Sequence, residues 1–599
     1  MNGRKRSSLG ARSLSKHMSG VAFGAALSAV GVAGAQPHDS AAEEEPIDVL
    51  VRAPPSPVGL GAEDTSAHFT LRERDMQSAG ATLAELLTQS PGVEVTRAGG
   101  SADLATVAVR GSSAAQLPVY LGGVRLNDEI TGSIDLSTLP VWMLHRMQLQ
   151  RGHSGLQADR LGVAGALLLV PRIARRTEGR LRLGLSSFGG RSAALSAAFG
   201  NGRAASLLAL RYRRSRGDFP FSDDRGTAFD PSDDRSRHRR NADHQQFDFW
   251  NSASVRLPDG QLDVLVHGFS RRAGAAGLQL VGSRKTRSRV HRALAAASVT
   301  LPCYRGADDC RLQLDSGLLR ARYGLFDPLL EAGPDARVMT AGLRFTERLR
   351  VALSPRPNTT VWLGAGFEGG QLWQQRDRRP ARRSARLVLR PEVAITAAPW
   401  PQLHVDLKAA LNCHTTRSGA NNSECGVLQP AGQLGVRWQW RPSANVFANV
   451  GRYVRVPTLG ELYGITATVR GNHTLRPERG TMLDVGIGGQ WRKKRVGAFA
   501  QLVGFVRWAD DLIVYRRTSL GAVSPYNAAT ARVMGVEAAV GGHWGRTLRV
   551  RGAITVVDPR DRSADSLRND TLPLRSRLTA FARAALRSPH WNTLGLSFA

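Results

Sequence analysis

The densest grouping of chemically capable side chains in this sequence is acidic. Asp223, Asp224, Asp230, Asp233 and Asp234 fall within residues 217–245, and clustered carboxylate oxygens are what a calcium ion takes as ligands. Arg235, Arg237, Arg239 and Arg240 follow directly and would neutralise the same charges, so a calcium site and a self-compensated loop are both open. The histidines, His404 and His543 among them, are scattered without HxxxH or HExxH spacing, which leaves metal-assisted catalysis unsupported. No GxSxG or other nucleophile arrangement occurs. The residues therefore give no catalytic site and no required cofactor, with calcium as the one candidate ion. Four cysteines fall into two close pairs, Cys303 with Cys310 and Cys413 with Cys425. Each pair is spaced to close a short loop in an oxidising compartment, the alternative being free thiols.

The N-terminus supplies that compartment. Arg4, Lys5, Arg6, Arg12 and Lys16 precede an apolar stretch from Met18 to Val32, and Ala33-Gly34-Ala35 offers a small-residue cleavage site. This is the anatomy of a secretory signal peptide over residues 1–35. Its removal takes five positive charges and no acid from the formal +32, leaving +27. In a cytoplasmic chain such a balance would suggest nucleic acid. Here the basic residues recur singly between apolar ones, as in Gly179-Arg180-Leu181-Arg182-Leu183, so no nucleic-acid partner is expected.

Three regions follow, each with its own pattern. Residues 36–64 are Pro/Ala/Glu-rich and read as flexible, yet they contain an apolar island, Ile47-Asp48-Val49-Leu50-Val51-Arg52-Ala53. An extended island of that kind gains most by pairing with a strand of another chain. Residues 65–172 read as a compact α/β domain. Thr82 and Glu85 make a capping box for a helix with Leu83, Leu86 and Leu87 inward, and Pro91-Gly92 stops it. Short strands follow at 93–95, 107–109, 119–121 and 147–149.

From about 179 the period becomes two, as in Leu403-His404-Val405-Asp406-Leu407-Lys408 and Leu548-Arg549-Val550-Arg551. Long strands, apolar on one face and charged on the other, fit a large antiparallel transmembrane β-barrel with a wet lumen better than a soluble sandwich. Short turns at 257–260, 354–358 and 441–444 alternate with long loops near 217–245, 373–382, 413–430, 454–480 and 558–573, the alternation of periplasmic turns and external loops. Trp438, Trp440 and Trp491 lie near short turns, where an aromatic girdle is expected. On this layout Cys303–Cys310 closes a periplasmic turn and Cys413–Cys425 spans an external loop.

The ordered series SPGVEVTRAGG (90–100), VAVRG (107–111), GGVRLND (122–128), IDLSTLP (134–140), LHRMQLQRG (144–152), GRYVRVPTLGELYG with GNHTLRPE, and NAATARVMGVEAAV (527–540) closely resembles the TonB-dependent outer-membrane receptors, nearest in layout to the cobalamin and siderophore branch. The resemblance implies a mainly β fold: a large antiparallel barrel of the family's 22-strand type, to which residues 173–599 belong, filled by an N-terminal α/β plug over 65–172. It implies a monomer in the outer membrane of a Gram-negative bacterium, contacting lipid and lipopolysaccharide. It implies import of a scarce bulky nutrient, a ferric siderophore or cobalamin, with energy from TonB acting on residues 47–53, which stand where the family's TonB box lies. By the same resemblance Leu104, Thr106, Ser113, Ile130 and Thr131 stand at substrate-facing plug apices; ordinary plug-loop roles are the alternative. A passive porin or a barrel enzyme is the other functional reading, and neither needs a plug or the island. Gly122 replaces the family's usual Asp, LHRMQL lacks the glutamates of the usual VERIEV, and His153 replaces the proline of RGP. These departures leave the plug–barrel salt bridges open. About nineteen alternating segments can be counted from 179. Against the family's 22, this predicts three absent C-terminal strands and an open gap of roughly 14 Å, at about 4.8 Å per strand.

Overall fold

In Glu178–Ser186, Leu181, Leu183 and Leu185 are 66%, 75% and 87% exposed, while Arg180 binds Glu178 just ahead of them. An apolar outer face of this kind is stable against lipid, and in lipid every backbone group must find a partner, which closes a sheet upon itself. The computed structural model describes residues 65–598 except 77–81, 98–102, 156–157, 174–175, 226, 228, 277–281, 305, 307–308, 332–333, 378–379, 419–420, 424–427, 467, 518–521, 546, 564–569, 573–574 and 589–590. The expected signal peptide, the flexible segment and the island 47–53 lie outside the described residues.

The plug comprises β1 (Ala67–Arg72), α1 (Glu73–Met76), α2 (Leu83–Leu87), β2 (Val93–Arg97), β3 (Ala105–Val109), β4 (Val119–Leu121), β5 (Val124–Arg125), β6 (Leu144–Arg151) and β7 (Gly165–Pro171). Its sheet has the order β1-β6-β7-β4-β5, with β4 and β7 parallel, and β2 pairs with β3 beside it. The capping box on α2 is present: the Glu85 amide donates to Thr82 Oγ1 at 3.3 Å and the Thr82 amide to Glu85 at 3.0 Å. Leu83, Leu86, Leu121, Leu149 and Leu167 form a core that continues into the barrel wall through Leu207, Trp250, Leu265, Leu294 and Leu319.

The barrel runs through β8 (Glu178–Ser186), β9 (Gly190–Gly200), β10 (Ala204–Ser215), then, after the loop hairpin β11 (Pro220–Asp223) and β12 (Arg235–His238), β13 (His244–Leu257), β14 (Gly260–Gly274), β15 (Arg287–Pro302), β16 (Cys310–Phe326), β17 (Arg337–Arg356), β18 (Thr359–Arg376), β19 (Arg382–Trp400) and β20 (Leu403–Ser418). After the short β21 (Asn421–Ser423) come β22 (Gln429–Arg441), β23 (Ala444–Arg455), β24 (Glu478–Lys493), β25 (Val496–Arg517), β26 (Val523–Trp544), β27 (Leu548–Asp561), β28 (Leu578–Ser588) and β29 (Trp591–Phe598). Two-residue turns at 258–259, 357–358, 401–402, 442–443 and 494–495 share one end. Trp438, Trp440 and Trp491, each more than half exposed, sit beside these turns. The longer loops share the other end, although β17 to β20 reach further into them than the alternation predicts, so the 373–382 loop shrinks to 377–381.

One expectation is overturned. Among the described residues nineteen long strands and β21 form a closed ring with β29 beside β8, and no open gap remains. Each strand adds about 4.8 Å of circumference, so a ring with fewer strands contracts as a whole instead of leaving a slot. Consecutive strands are antiparallel throughout, so with nineteen the two that meet at closure run in the same direction. Cys303 and Cys310 are disulfide-bonded at the short-turn end, with Cα atoms 5.4 Å apart. Cys413 is likewise disulfide-bonded, while Cys425, its expected partner, lies outside the described residues.

Candidate functional site

The polar chemistry of the molecule is concentrated where plug meets barrel. Arg110 directly follows β3 and Arg151 ends β6, which brings two guanidinium groups onto one acid of β26. Arg110 donates from Nε and Nη2 to the two Glu537 oxygens at 2.9 Å each, and Arg151 Nη1 donates to Glu537 Oε2 at 2.7 Å. Asp484 of β24 lies 3.9 Å from Arg110, and Gln501 of β25 accepts from Arg151 at 2.8 Å. All four charged groups, Arg110, Arg151, Glu537 and Asp484, are buried. Plug–barrel salt bridges are therefore made despite the departures at Gly122, LHRMQL and His153, because the acids of this lock stand on the barrel. Gly152, at φ +80°, is needed beside them: a Cβ there would stand 2.5 Å from Arg110 Nη1 and 2.7 Å from Asp484 Oδ1.

His153, next in sequence, is buried against Gln433 of β22, whose amide lies 3.2 Å from its Nε2. Burial first, and then the Lys408 ammonium, push this imidazole down to about 3.

The segment from Tyr453 to Glu478 forms a second junction. Thr458 caps a one-turn helix, α3 (Leu459–Tyr463), through a capping box with Glu461. Arg455 reaches both Glu461, at 3.1 Å, and Glu478, at 3.2 Å, and Tyr453 donates to Glu478 at 3.1 Å. The plug's Gln116 donates to the same Glu478, which is wholly buried. The Gly460 amide donates to the plug carbonyl of Glu129 at 2.9 Å, and Leu459 packs on Ile130, Ala321 and Leu372. The proline–glycine interruption after the strand thus builds a foot that stands on the plug tip.

That foot covers one of the residues expected at a plug apex: Ile130 is 1% exposed and packs beneath Leu459. Thr131 is half-buried, its amide and hydroxyl both bonded to Asp128 at 2.7 and 3.1 Å. Leu104 is half exposed, Thr106 pairs with Thr96 in the β2–β3 ladder, and the Ser113 amide donates to Gln116 at 2.7 Å. The five aspartates do not converge either. Asp223 is held by Arg237 at 2.9 Å, Asp230 caps its own turn through Ser232, and Asp233 accepts from Thr227 at 2.8 Å. Asp224 and Asp234 flank them, and among the described residues no group of three or more His, Cys, Asp or Glu is assembled to hold a metal.

Comparison with known proteins agrees with this architecture. Residues 173–599 match the family described as "TonB dependent receptor-like, beta-barrel", and residues 63–166 match the "TonB-dependent Receptor Plug Domain". The vitamin B12 transporter BtuB of Vibrio cholerae serotype O1 is 28% identical over 103 residues, which is 17% of this chain and 17% of its own length. Among solved structures, the copper transporter OprC superposes with a TM-score of 0.71 at 15% identity, covering 89% of this chain and 84% of its own. The FrpB iron transporter of Neisseria meningitidis gives 0.71 at 11% identity, covering 89% and 86%. The siderophore receptor PirA of Acinetobacter baumannii gives 0.67 at 12%, covering 89% and 85%. With its plug domain locked inside a closed barrel, and both domains matched in order along the sequence, the chain belongs to the TonB-dependent receptors, the outer-membrane barrels of Gram-negative bacteria.

Proposed function

We propose that this receptor captures a scarce, bulky nutrient at its long-loop end and delivers it to the periplasm when TonB pairs with residues 47–53 and pulls on the plug. The supporting observation is the lock of Arg110 and Arg151 on Glu537, together with a plug core continuous with the barrel wall. A porin keeps an aqueous channel; a lumen sealed by buried charge pairs and apolar contacts requires work to open, and TonB supplies work. The ligand is a ferric siderophore or cobalamin, in keeping with the siderophore receptor PirA, the iron transporter FrpB and the vitamin B12 transporter BtuB. A barrel enzyme gains nothing from a plug.

Uptake by intact cells of a panel of radiolabelled ferric siderophores and cobalamin tests this reading. Cells with the full chain should accumulate one of them. Deleting Ile47–Ala53 should leave surface binding intact and abolish accumulation. Undiminished accumulation in the deletion strain refutes energised transport.

A further inference from the structure

The lumen wall is not uniform where it meets the plug. Strands β10 to β16 meet it largely through apolar side chains such as Leu207, Leu265 and Leu294, with Arg271 bound to the plug's Asp135 at 2.9 Å and Arg292 to its Thr138 at 2.6 Å. Strands β24 and β26 meet it with acids, Asp484 and Glu537, whose cations belong to the plug. Between these lies a third wall of opposite sign. Across β17, β18 and β19, Arg344, Gly370 and Arg386 stand in register, as do Arg348, Gly366 and Arg390, with Arg350 opposite Gly364. The five arginines are all more than nine-tenths buried. Glycine keeps the middle strand low on either side of Glu368, whose carboxylate is held by the plug's Arg125 and Arg160 at 2.8 Å each, so the arrangement is a trough walled by guanidinium groups with one acid on its floor. At Gly366 a Cβ would meet nothing nearer than 3.8 Å.

The partners of these arginines divide into two sets. Arg348 binds Glu392 at 2.7 Å and Arg350 binds Asp315 at 3.1 Å, both within the barrel. The other three lean on the plug. Arg344 donates to the carbonyls of Arg125 and Asn127, Arg386 pairs with Glu129 at 3.3 Å, and Arg390 pairs with Asp159 at 3.2 Å. Among the described residues no barrel carboxylate lies within ion-pairing distance of Arg344, Arg386 or Arg390. When the plug segments that carry Asn127, Glu129 and Asp159 shift, Arg386 and Arg390 lose their counter-charges and Arg344 its carbonyl acceptors; Glu368, released from Arg125 and Arg160, balances at most one of the three, and a buried cation without a counter-charge is strongly unfavourable. An anion in the vacated space restores the balance, and its own desolvation is met by the same guanidinium forks.

We propose that this arginine-walled trough on β17–β19 is the track along which the ligand crosses the barrel, and that the ligand is an oxygen-rich anion whose acidic groups take over Arg344, Arg386 and Arg390 from the plug. The proposal rests on the transport reading above and deepens it by assigning the ligand's charge and its route. An anion is turned away from the β24–β26 wall by Asp484 and Glu537, and along the apolar wall it meets two buried guanidinium groups, Arg271 and Arg292, against five in the trough.

The full-length protein in a planar bilayer tests it, with urea added to release the plug and chloride and potassium as the permeant probes. The opened wild-type pore should pass chloride at least about tenfold better than potassium, the scale of counter-ion enrichment expected in a charged cleft. Two variants alter the trough by independent means. Arg344→Gln with Arg390→Gln removes two cations, and Gly366→Asp adds an acid to the floor where a side chain has room. Each should bring the permeability ratio down to about threefold or less, with a heat-shifted mobility on gels confirming the folded barrel. A wild-type pore that does not open, is unselective or prefers potassium overturns the proposal, as does either variant retaining the wild-type ratio. The probes are simple ions, so an uptake panel that fails refutes the transport reading without altering this result. An unselective pore in a protein that does import a nutrient refutes the track alone.

Discussion

Glu537→Gln attacks the lock at its single shared acid. Glu537 is 1% exposed and holds Arg110 at 2.9 Å and Arg151 at 2.7 Å. The amide keeps the shape but loses the charge, so two buried guanidinium groups face only Asp484, 3.9 Å from Arg110, and the neutral Gln501. Removing one member of a buried ion pair costs about 3–5 kcal/mol. At about 1.4 kcal/mol per decade this is a rise of about a hundred- to several-thousand-fold in the population with the plug detached. Hydrogen exchange reads that population directly. Amides of β3 and β6 should lose protection by that factor, while the barrel amides of β17, whose ladder with β16 and β18 is untouched, should keep theirs. Replacing the whole set, Arg110→Met, Arg151→Met and Glu537→Leu, leaves no buried charge unpaired and should recover most of the protection. Protection of β3 and β6 within about threefold of wild type in Glu537→Gln, less than 1 kcal/mol, would show that the ion pairs do not hold the plug.

Three further outcomes are expected. In Gly460→Ala the new Cβ would stand 1.7 Å from the Ile130 carbonyl oxygen, so α3 must lift off the plug tip; a cysteine at position 130 (Ile130→Cys) should react with maleimide far faster in that background, and equal rates would contradict the docking. His153 is held neutral, down to about 3 from an ordinary 6.5, so below 6.5 the unfolded plug binds a proton that the folded one does not, and stability is lost as pH falls from 6.5 toward 3. The urea midpoint for plug release should therefore drop between pH 7 and pH 5, and His153→Asn should flatten that drop; an identical slope in the variant rejects the assignment. Non-reducing peptide mapping should find Cys413 linked to Cys425 and Cys303 to Cys310, and free thiols at both members of either pair would exclude that bridge.

The larger domain was legible because its cause is local. In lipid each strand must show apolar residues on every second position, and Leu181, Leu183 and Leu185 carry that signal unaided. The α2 capping box and the placing of turns and loops at opposite ends were equally readable, since each depends on residues within a few positions. Strands β1 and β7 were not foreseen: Gly165–Pro171 is an apolar run covered by β4 and β6 on its edges and by packing on its faces, and such a run has no period to announce it as a strand. Nor could the closure of the ring be judged by counting strands, because curvature is shared by all of them.

The lock, the foot of α3 on Glu129 and the trough belong to tertiary structure alone. Arg110 and Glu537 stand 427 positions apart, and Arg386 and Glu129 stand 257 apart. A charged side chain in a sequence shows only that it needs solvent or a partner. Which partner it finds is decided when the barrel closes around the plug, removes the water and leaves the opposite charge as the sole remaining solvation.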